Sequence, residues 1–289
     1  MTDPIVFDGS TLREHWALPE LADDGTKHER GTVVVVGGAG ETPGAVLLAG
    51  VAALRVGAGR LQICTVQPNA SALAVAVPEA AVTALPVTPT GGIGAAAVDL
   101  ARGAVLEADA VLLGPGMTGP DESLVVVEAI LAAVSNQAVI VLDALALTCG
   151  IVNTAQFSHC ASRTVITPNA SEVEHLLGSA APGDDADSAR VLADRLGVVA
   201  VSGSVVAAPG GVCWRTSKGN SGLATSGSGD VLAGAVTGLA ARGADPLRAA
   251  LWAVTLHCSA GDRLAHRIGP LGFLAHELLD ELPGVLRDI

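Results

Sequence analysis

The residues with the clearest chemical potential form a glycine- and serine-rich loop that leads directly into a predicted helix. The loop reads GNSGLATSGSG from Gly219 to Gly229, and Asp230 follows in the first helical turn. The unpaired N–H groups and the positive dipole end of a helix N-terminus bind anions such as phosphate. Asp230 could merely cap the helix. A plain cap does not need so many small and hydroxyl residues, so we favour a carboxylate that exchanges a proton beside a bound phosphate.

A second group of small and polar residues follows apolar, β-branched runs elsewhere in the chain. This group comprises Gly37-Gly38, Gly114-Pro115-Gly116, Asp143 and Thr167-Pro168-Asn169. Open α/β sheets bind ligands at the carboxyl ends of their strands, so we expect these residues to share one edge of a sheet. The first glycine turn has neither the GxGxxG spacing of a dinucleotide fingerprint nor the lysine of a P-loop.

Other catalytic and metal-binding patterns are missing from the sequence. There is no HExxH pair, no CxxC pair and no GxSxG elbow, so no metal site of the protein's own is predicted. We interpret His257 and His266 as structural residues of a long helix. The aspartates at 184, 185 and 187 are interpreted as part of a solvated loop over residues 178–187. The five cysteines are expected to be free, buried thiols.

The hydrophobic pattern predicts the elements that must position these groups. Strands are expected over 32–36, 61–66, 108–113, 138–142, 163–166 and 198–201, with a hairpin of 205–208 and 212–215. Helices are expected over 43–56, 123–134, 170–177, 188–196, 229–241, 246–266 and 273–282, the last stopped by Pro283. Strands that alternate with helices predict a mostly parallel sheet with helices on both faces, in a single domain.

The composition excludes several classes of protein. Half of the 289 residues are hydrophobic, which is too many for a disordered chain. The net charge of −13 argues against binding to nucleic acid or to an anionic membrane, and only 2% of the residues are aromatic. No stretch resembles a signal peptide or a membrane span. We therefore expect a cytoplasmic protein.

Five motifs, in order, carry a resemblance to a known family. GTVVVVGGAGETPGA, VLLGPGM, VLDALAL, VITPNASEVEHLLG and GNSGLATSGSGDVLAG resemble the ADP/ATP-dependent NAD(P)H-hydrate dehydratases of the ribokinase-like superfamily. The resemblance covers about residues 27–282. It implies a ribokinase-like α/β fold and an enzyme that repairs NADH or NADPH hydrated at the nicotinamide ring. ADP or ATP would be the co-substrate, with Mg²⁺ expected to bridge the phosphates.

The resemblance also implies roles for particular residues. Asp230 would activate the ring hydroxyl, and Gly227, Ser228 and Gly229 would hold the transferred phosphoryl group. The remaining residues expected to bind nucleotide or phosphate are Ser202, Gly203, Ser204 and Asn220. Those expected to contact the hydrated cofactor, together with Asp230, are Ala45, Gly116 and Asn169.

Three departures from the family pattern put ligand affinity in question. The usual Leu-Lys-Gly after the strand at 198–201 has no lysine here, where Ser202-Gly203-Ser204 follows. Asn169 stands where the family has histidine, and Leu145 stands where it has a second aspartate. Two alternatives therefore remain: a small-molecule kinase of the same superfamily acting on a vitamin precursor, and a non-catalytic nucleotide-binding protein.

The resemblance also bears on domains and partners. Residues 1–289 are expected to form one ribokinase-like domain, with residues 1–26 as an N-terminal extension too short for the epimerase domain often fused to this family. A separate epimerase would then act in the same pathway. A homo-oligomer is compatible with the sequence.

Overall fold

A single sheet organises the chain in the computed structural model, which describes residues 3–20, 26–178 and 183–289. Its strands are β1 (Ile5–Phe7), β2 (Thr32–Val36), β3 (Arg60–Val66), β4 (Ala80–Leu85), β5 (Ala110–Leu113), β6 (Val139–Leu142), β7 (Thr164–Ile166), β8 (Val199–Ser202), β9 (Val205–Ala207) and β10 (Cys213–Thr216). They lie in the order β1-β10-β9-β8-β7-β6-β5-β2-β3-β4. Only β9 runs antiparallel to its neighbours in the described sheet, as the predicted hairpin requires.

Helices cover both faces of this sheet. They are α1 (Gly9–His15), α2 (Pro43–Arg55), α3 (Gln67–Ala76), α4 (Ala97–Leu106), α5 (Pro120–Ala133), α6 (Leu145–Thr148), α7 (Ala155–Cys160), α8 (Ala170–Leu177), α9 (Asp185–Leu196), α10 (Ser228–Ala241), α11 (Pro246–Arg267) and α12 (Ala275–Asp288). Parallel strands require such crossover connections.

The strand β2 shows why the sheet is covered on both sides. All five of its residues are buried. Val33 and Val35 belong to one core, which includes α2, α10, α11 and α12, whereas Val34 and Val36 belong to the core on the other face. A strand buried on both faces reads as a continuous apolar run, as it does here.

Two helices pack unusually closely on one face. A Cβ added to Gly234 of α10 would lie 2.7 Å from the Cα of Ala49 in α2, and one added to Gly238 would lie 2.7 Å from the Cα of Ala53. The two glycines, four residues apart, form a smooth stripe that admits the backbone of α2. This contact fixes the start of α2 beside the start of α10.

The predicted strands and most helices are confirmed, with two corrections. The prediction that Pro283 stops the last helix is wrong, because α12 continues through it to Asp288. Leu278, Leu279, Leu282 and Val285 are buried on both sides of the proline, and this packing outweighs its missing N–H donor. The predicted 178–187 loop is wrong at its end, because α9 begins at Asp185. Residues 179–182 of that loop lie outside the described residues.

The N-terminal segment takes part in the fold where it is described. The edge strand β1 pairs in parallel with β10, and Leu12 of α1 is fully buried. Trp252 Nε1 donates a hydrogen bond to the Trp16 carbonyl oxygen at 2.7 Å. All five cysteines are free and buried, as predicted. Among the helices that the structure describes, none is long and apolar enough to span a bilayer.

Candidate active site

A cleft with two connected lobes opens at the carboxyl edge of the sheet. The broad lobe, of about 550 Å³, lies between the loop after β8, the loop after β10 and the start of α10. The acidic lobe, of about 370 Å³, is named for its carboxylates Asp143, Glu172 and Asp230. The two lobes share six lining residues, which makes them one continuous site: Thr167, Asn169, Leu223, Ala224, Ser228 and Gly229.

The start of α10 lines this cleft with backbone N–H groups, of which that of Ser228 donates to the Thr225 carbonyl oxygen at 3.2 Å. Its N-cap is Gly227 at φ 86°, a conformation that favours glycine, and no side chain among the described residues caps the helix. Gly229 is exposed, and a Cβ added there would meet no atom within 4 Å. Packing therefore does not require a glycine at 229, whereas close approach of a ligand to the backbone does. The helix dipole adds positive potential at the same place.

The carboxylate of Asp230 stands in the first turn of this helix and is half-buried. Burial, with a smaller contribution from the negative charge of Glu172, raises the pKa of Asp230 to about 6. An acid with a pKa near neutrality can accept a proton and release it again at physiological pH. Such perturbed groups in a cleft are typical of catalytic sites.

Asp143 is a second carboxyl group with a perturbed pKa in the acidic lobe. Burial raises its pKa to about 7, despite a hydrogen bond that Thr167 Oγ1 donates to its Oδ1 at 2.7 Å. The next residue, Ala144, is the one non-glycine residue with positive φ, 49°, in the described chain. Backbone strain of this kind costs about 1–3 kcal/mol and concentrates at functional sites.

Asn169 and Glu172 link the two lobes and also begin α8. Asn169 Oδ1 accepts hydrogen bonds from the N–H groups of Ser171 and Glu172, and Glu172 Oε2 accepts one from the N–H of Asn169 at 2.9 Å. This is a capping box. Asn169 therefore has a structural role: its Oδ1 is engaged in the cap, and its side chain also hydrogen-bonds Glu172.

The acidic lobe fits a divalent cation carried by a phosphate ligand. Carboxylates are hard oxygen ligands, and Mg²⁺ usually retains waters while it binds one or two carboxylates and substrate phosphates. In the part of the chain that the structure describes, no three acidic, histidine or cysteine side chains converge closely enough to hold an ion directly. Glu172 and Asp230 are the residues that would hold a Mg²⁺ ion arriving with a nucleotide, and the ion would neutralise phosphate charge.

Ala45 and Gly116 adjoin each other on a neighbouring part of the same edge. A Cβ added to Gly116 would lie 3.0 Å from that of Ala45, and Thr42 Oγ1 donates to the Gly116 carbonyl at 2.7 Å. Both lie outside the two lobes. Leu48, one turn after Ala45 on α2, reaches Gly227, so the close packing of α2 on α10 connects this pair to Asp230.

The predicted residues are thus brought together in two groups. One lines the two lobes and consists of Ser202, Gly203, Ser204, Asn220, Gly227, Ser228, Gly229, Asp230 and Asn169. The other is the Ala45–Gly116 pair. The roles of all these residues stay predictions. Asn220 also holds its own loop, since its Oδ1 accepts from the Gly222 N–H and its Nδ2 donates to Asp262.

The charged and histidine residues that line the two lobes without being predicted as site residues are Glu172, Asp185, Lys218 and His257. His257 was interpreted as a structural residue, and it is indeed buried, but its Nε2 contacts Ser228 at the start of α10. Its place on α11, far along the chain from the loop, gave no local signal. The position of Glu172 three residues after Asn169 was a usable capping signal.

Comparison with known proteins identifies the family and confirms the ribokinase-like fold. The family model of NAD(P)H-hydrate dehydratase matches residues 33–284. The chain is 43% identical to the ADP-dependent (S)-NAD(P)H-hydrate dehydratase of Xanthomonas campestris, over 99% of this chain and 98% of that one. It is 32% identical to the Escherichia coli bifunctional NAD(P)H-hydrate repair enzyme, over 94% of this chain but only 50% of that one.

Solved structures agree with these sequence matches. The ADP/ATP-dependent NAD(P)H-hydrate dehydratase of Bacillus subtilis, co-crystallised with ATP and Mg²⁺, superposes with a TM-score of 0.81 at 28% identity, covering 100% of this chain and 99% of that one. A ribokinase-like superfamily protein of Enterococcus faecalis gives a TM-score of 0.80 at 26% identity, covering 98% and 95%. The five motifs, the fold and these relatives together establish that the chain belongs to the NAD(P)H-hydrate dehydratase family.

Proposed function

We propose that this protein dehydrates hydrated NADH or NADPH back to the reduced cofactor and consumes ADP or ATP in doing so. The observation that carries the proposal is the half-buried Asp230 beside the uncapped, glycine-lined start of α10. Family membership supports the choice of substrate. The dependence on nucleotide is supported by the relatives named for ADP or ATP and by the Bacillus structure obtained with ATP and Mg²⁺.

In the first step the ring hydroxyl attacks the terminal phosphorus of the nucleotide. Asp230 accepts the hydroxyl proton as the new O–P bond forms and the bond to the leaving phosphate of the nucleotide breaks. Gly227, Ser228 and Gly229 hold the transferred group, because preorganised donors stabilise charge that develops in the transition state. The donors are the N–H groups of Gly227 and Gly229 and the Ser228 hydroxyl, since the Ser228 N–H donates to the Thr225 carbonyl oxygen at 3.2 Å. Mg²⁺, when bound with the nucleotide, supplies further neutralisation of the phosphate charge.

In the second step phosphate leaves the ring and the double bond re-forms. The C–O bond breaks with both electrons going to phosphate, and the neighbouring ring carbon loses a proton to the departing phosphate. The products are reduced cofactor, inorganic phosphate and the shortened nucleotide. Ala45, Gly116 and Asn169 are proposed to contact the hydrated cofactor, while Ser202, Gly203, Ser204 and Asn220 are proposed to contact the adenine nucleotide.

The test is to mix hydrated NADH or NADPH with the protein and ADP or ATP and to follow the absorbance band of the reduced nicotinamide. We expect the band to recover with wild-type protein, and an Asp230→Asn variant to lose at least about 100-fold in rate. If neither nucleotide restores absorbance where an authentic dehydratase does, the proposal fails. ATP-dependent phosphorylation of vitamin-precursor alcohols would then favour the kinase alternative, and nucleotide binding without turnover would favour the non-catalytic one.

The predictions on partners and location stay predictions. A separate epimerase would interconvert the two epimers of the hydrated cofactor before this enzyme acts. A cytoplasmic location and a homo-oligomer are proposed on the same footing.

A further inference from the structure

The cleft is acidic, although the ligand proposed for it is a polyphosphate anion. Four of its lining residues are acidic: Asp143, Glu172, Asp185 and Asp230. Among the described residues that line the two lobes, Lys218 is the only lysine or arginine. The whole chain contains just two lysines, Lys27 and Lys218. Among the described lining residues, Lys218 is therefore the one lysine or arginine side chain that a nucleotide in this cleft would contact.

The loop that carries Lys218 is held in place at the rim. Lys218 follows β10, and the N–H of the next residue, Gly219, donates to both carboxylate oxygens of Asp262, at 3.2 and 3.1 Å. Asn220 Nδ2 donates to Asp262 Oδ1 at 3.0 Å. The loop is thus held at Gly219 and at the Asn220 side chain, and the Lys218 N–H donates to Thr216 Oγ1 at 3.4 Å, so the base of the lysine side chain is positioned before any ligand arrives.

The Lys218 ammonium is available for a ligand. The residue is exposed, and none of the ion pairs found within the described ranges involves it. The broad lobe is also lined by Ser202, Gly203 and Ser204, which carry no charge. A lysine ammonium is a compact charge on a flexible stem and suits an anion whose position is set by other groups.

We propose that Lys218 binds a phosphate group of the adenine nucleotide and supplies the main side-chain charge for that contact. The inference rests on the proposed function and extends it, because Lys218 lies outside the five motifs and is not among the residues predicted to bind the nucleotide. The N–H groups at the start of α10 hold the phosphoryl group that is transferred, and Lys218 holds a phosphate nearer the rim.

Lys218 also lines a second surface cavity, and its position there suggests an alternative, purely structural role for the residue. That cavity, of about 560 Å³, lies between α11 and α12 and includes Asp262, Arg263 and Glu281. A lysine that only balanced Asp262 there would stabilise the fold without any effect on nucleotide affinity. The two roles therefore give different measurements.

The test compares Lys218→Gln, Lys218→Arg and the matched control Lys27→Gln. Dissociation constants for ADP, ATP and uncharged adenosine are measured by calorimetry at low and high salt, with the melting temperature of each variant. We expect Lys218→Gln to weaken ADP and ATP binding about 5- to 30-fold at low salt, with a smaller loss at high salt, because a charge-assisted hydrogen bond is lost. Adenosine binding should not change, Lys218→Arg should retain much of the affinity, and Lys27→Gln should resemble wild type.

A chemical probe gives an independent readout. A dialdehyde analogue of ADP reacts with amines, and since the chain has two lysines, peptide mass spectrometry can distinguish Lys218 from Lys27. We expect an adduct at Lys218 that excess ADP suppresses. If Lys218→Gln binds ADP and ATP as wild type does, and only its melting temperature falls, the inference is overturned while the proposed function stands. Wild-type protein that binds neither nucleotide would overturn both together.

Discussion

The Nε2 atom of His257 lies 2.9 Å from Ser228 Oγ and 3.1 Å from the carbonyl oxygen of the same residue. Because a carbonyl oxygen can only accept a hydrogen bond, the tautomer with the ring proton on Nε2 is the one that satisfies both contacts. Burial lowers the pKa of His257 to about 4, so the ring is neutral at pH 7. A ring that donates toward Ser228 leaves the serine's own hydroxyl proton free for a ligand beside Gly229. His257 is therefore a positioning residue for the anion site.

Replacement of His257 tests this coupling. We expect His257→Leu and Ser228→Ala each to lower kcat about 10-fold, the equivalent of one oriented hydrogen bond. The double variant should lose little more than either single one, because both remove the same interaction. The measurement is steady-state kcat and KM, with ¹⁵N chemical shifts of the wild-type imidazole reporting the proton on Nε2.

Thr255→Val is the matched control for these variants. Thr255 is buried on the same helix, and its Oγ1 donates only within that helix, to the Leu251 carbonyl oxygen at 3.0 Å. Its replacement should lower stability without a change in kcat. Additive losses in the double variant, or a similar loss of kcat in Thr255→Val, would show that His257 acts only through the packing of α11.

Two glycines of α10 separate ligand binding from folding. An alanine at 229 would place its methyl group in open space within the cleft, whereas an alanine at 234 would collide with the backbone of α2 at Ala49. We expect Gly229→Ala to keep or raise stability, by up to about 1 kcal/mol, and to weaken nucleotide binding about 10-fold or more. We expect Gly234→Ala to lower stability by about 1–3 kcal/mol.

Thermal or urea unfolding and calorimetry of ADP binding measure the two effects separately. The reading that Gly229 leaves its backbone open for phosphate is wrong if Gly229→Ala binds ADP as wild type does. Gly234→Ala should still bind ADP in its folded fraction, so the two variants control for each other.

The acid limb of the pH profile should report Asp230. A base must be ionised to accept a proton, so kcat/KM should rise with pH through the pKa of about 6 that burial and Glu172 give this carboxyl group. Glu172→Gln removes a negative charge and should move the limb to lower pH, while the amide oxygen can still accept from the Asn169 N–H. Glu174→Gln, exposed on the same helix, is the matched control. A limb that stays at the same pH in Glu172→Gln would remove Glu172 as a cause of the shift.

The hydrophobic pattern and the local motifs of the sequence predict most of the strands and helices and much of the cleft. Continuous β-branched runs such as Thr32–Val36 mark strands that are buried on both faces, and the loop into α10 carries its own signature. The elements that were not predicted are the chain's first strand and helix, the edge strand β4 and the helices α3, α4, α6 and α7. Their apolar faces are short or partly exposed, and β4 in particular has only one fully buried residue, Leu85.

The site residues that were not predicted differ in how far the sequence could have indicated them. Lys218 directly precedes the glycine-rich loop and Glu172 lies three residues after Asn169, whereas His257 reaches the cleft only through the tertiary packing of α11. A histidine on an apolar helix looks the same in sequence whether it faces a core or the start of another helix. The continuation of α12 through Pro283 was not predicted either, because it depends on how the apolar face of the helix packs in the folded protein.

The last prediction concerns Asp143 and the pH dependence of stability. Burial raises its folded-state pKa from 3.8 to about 7, so the folded protein binds a proton there more tightly than the unfolded chain does. The free energy of unfolding should therefore fall as pH rises from about 4 to about 7, since ionisation favours the unfolded state. Asp143→Asn removes this titration but retains an oxygen that accepts from Thr167 Oγ1. We expect the variant to be more stable than wild type by about 2–4 kcal/mol at pH 8 and nearly equal to it at pH 4. Urea unfolding at both pH values measures the difference, and an advantage that is the same at both would mean that the carboxyl group does not titrate in the folded protein over this range.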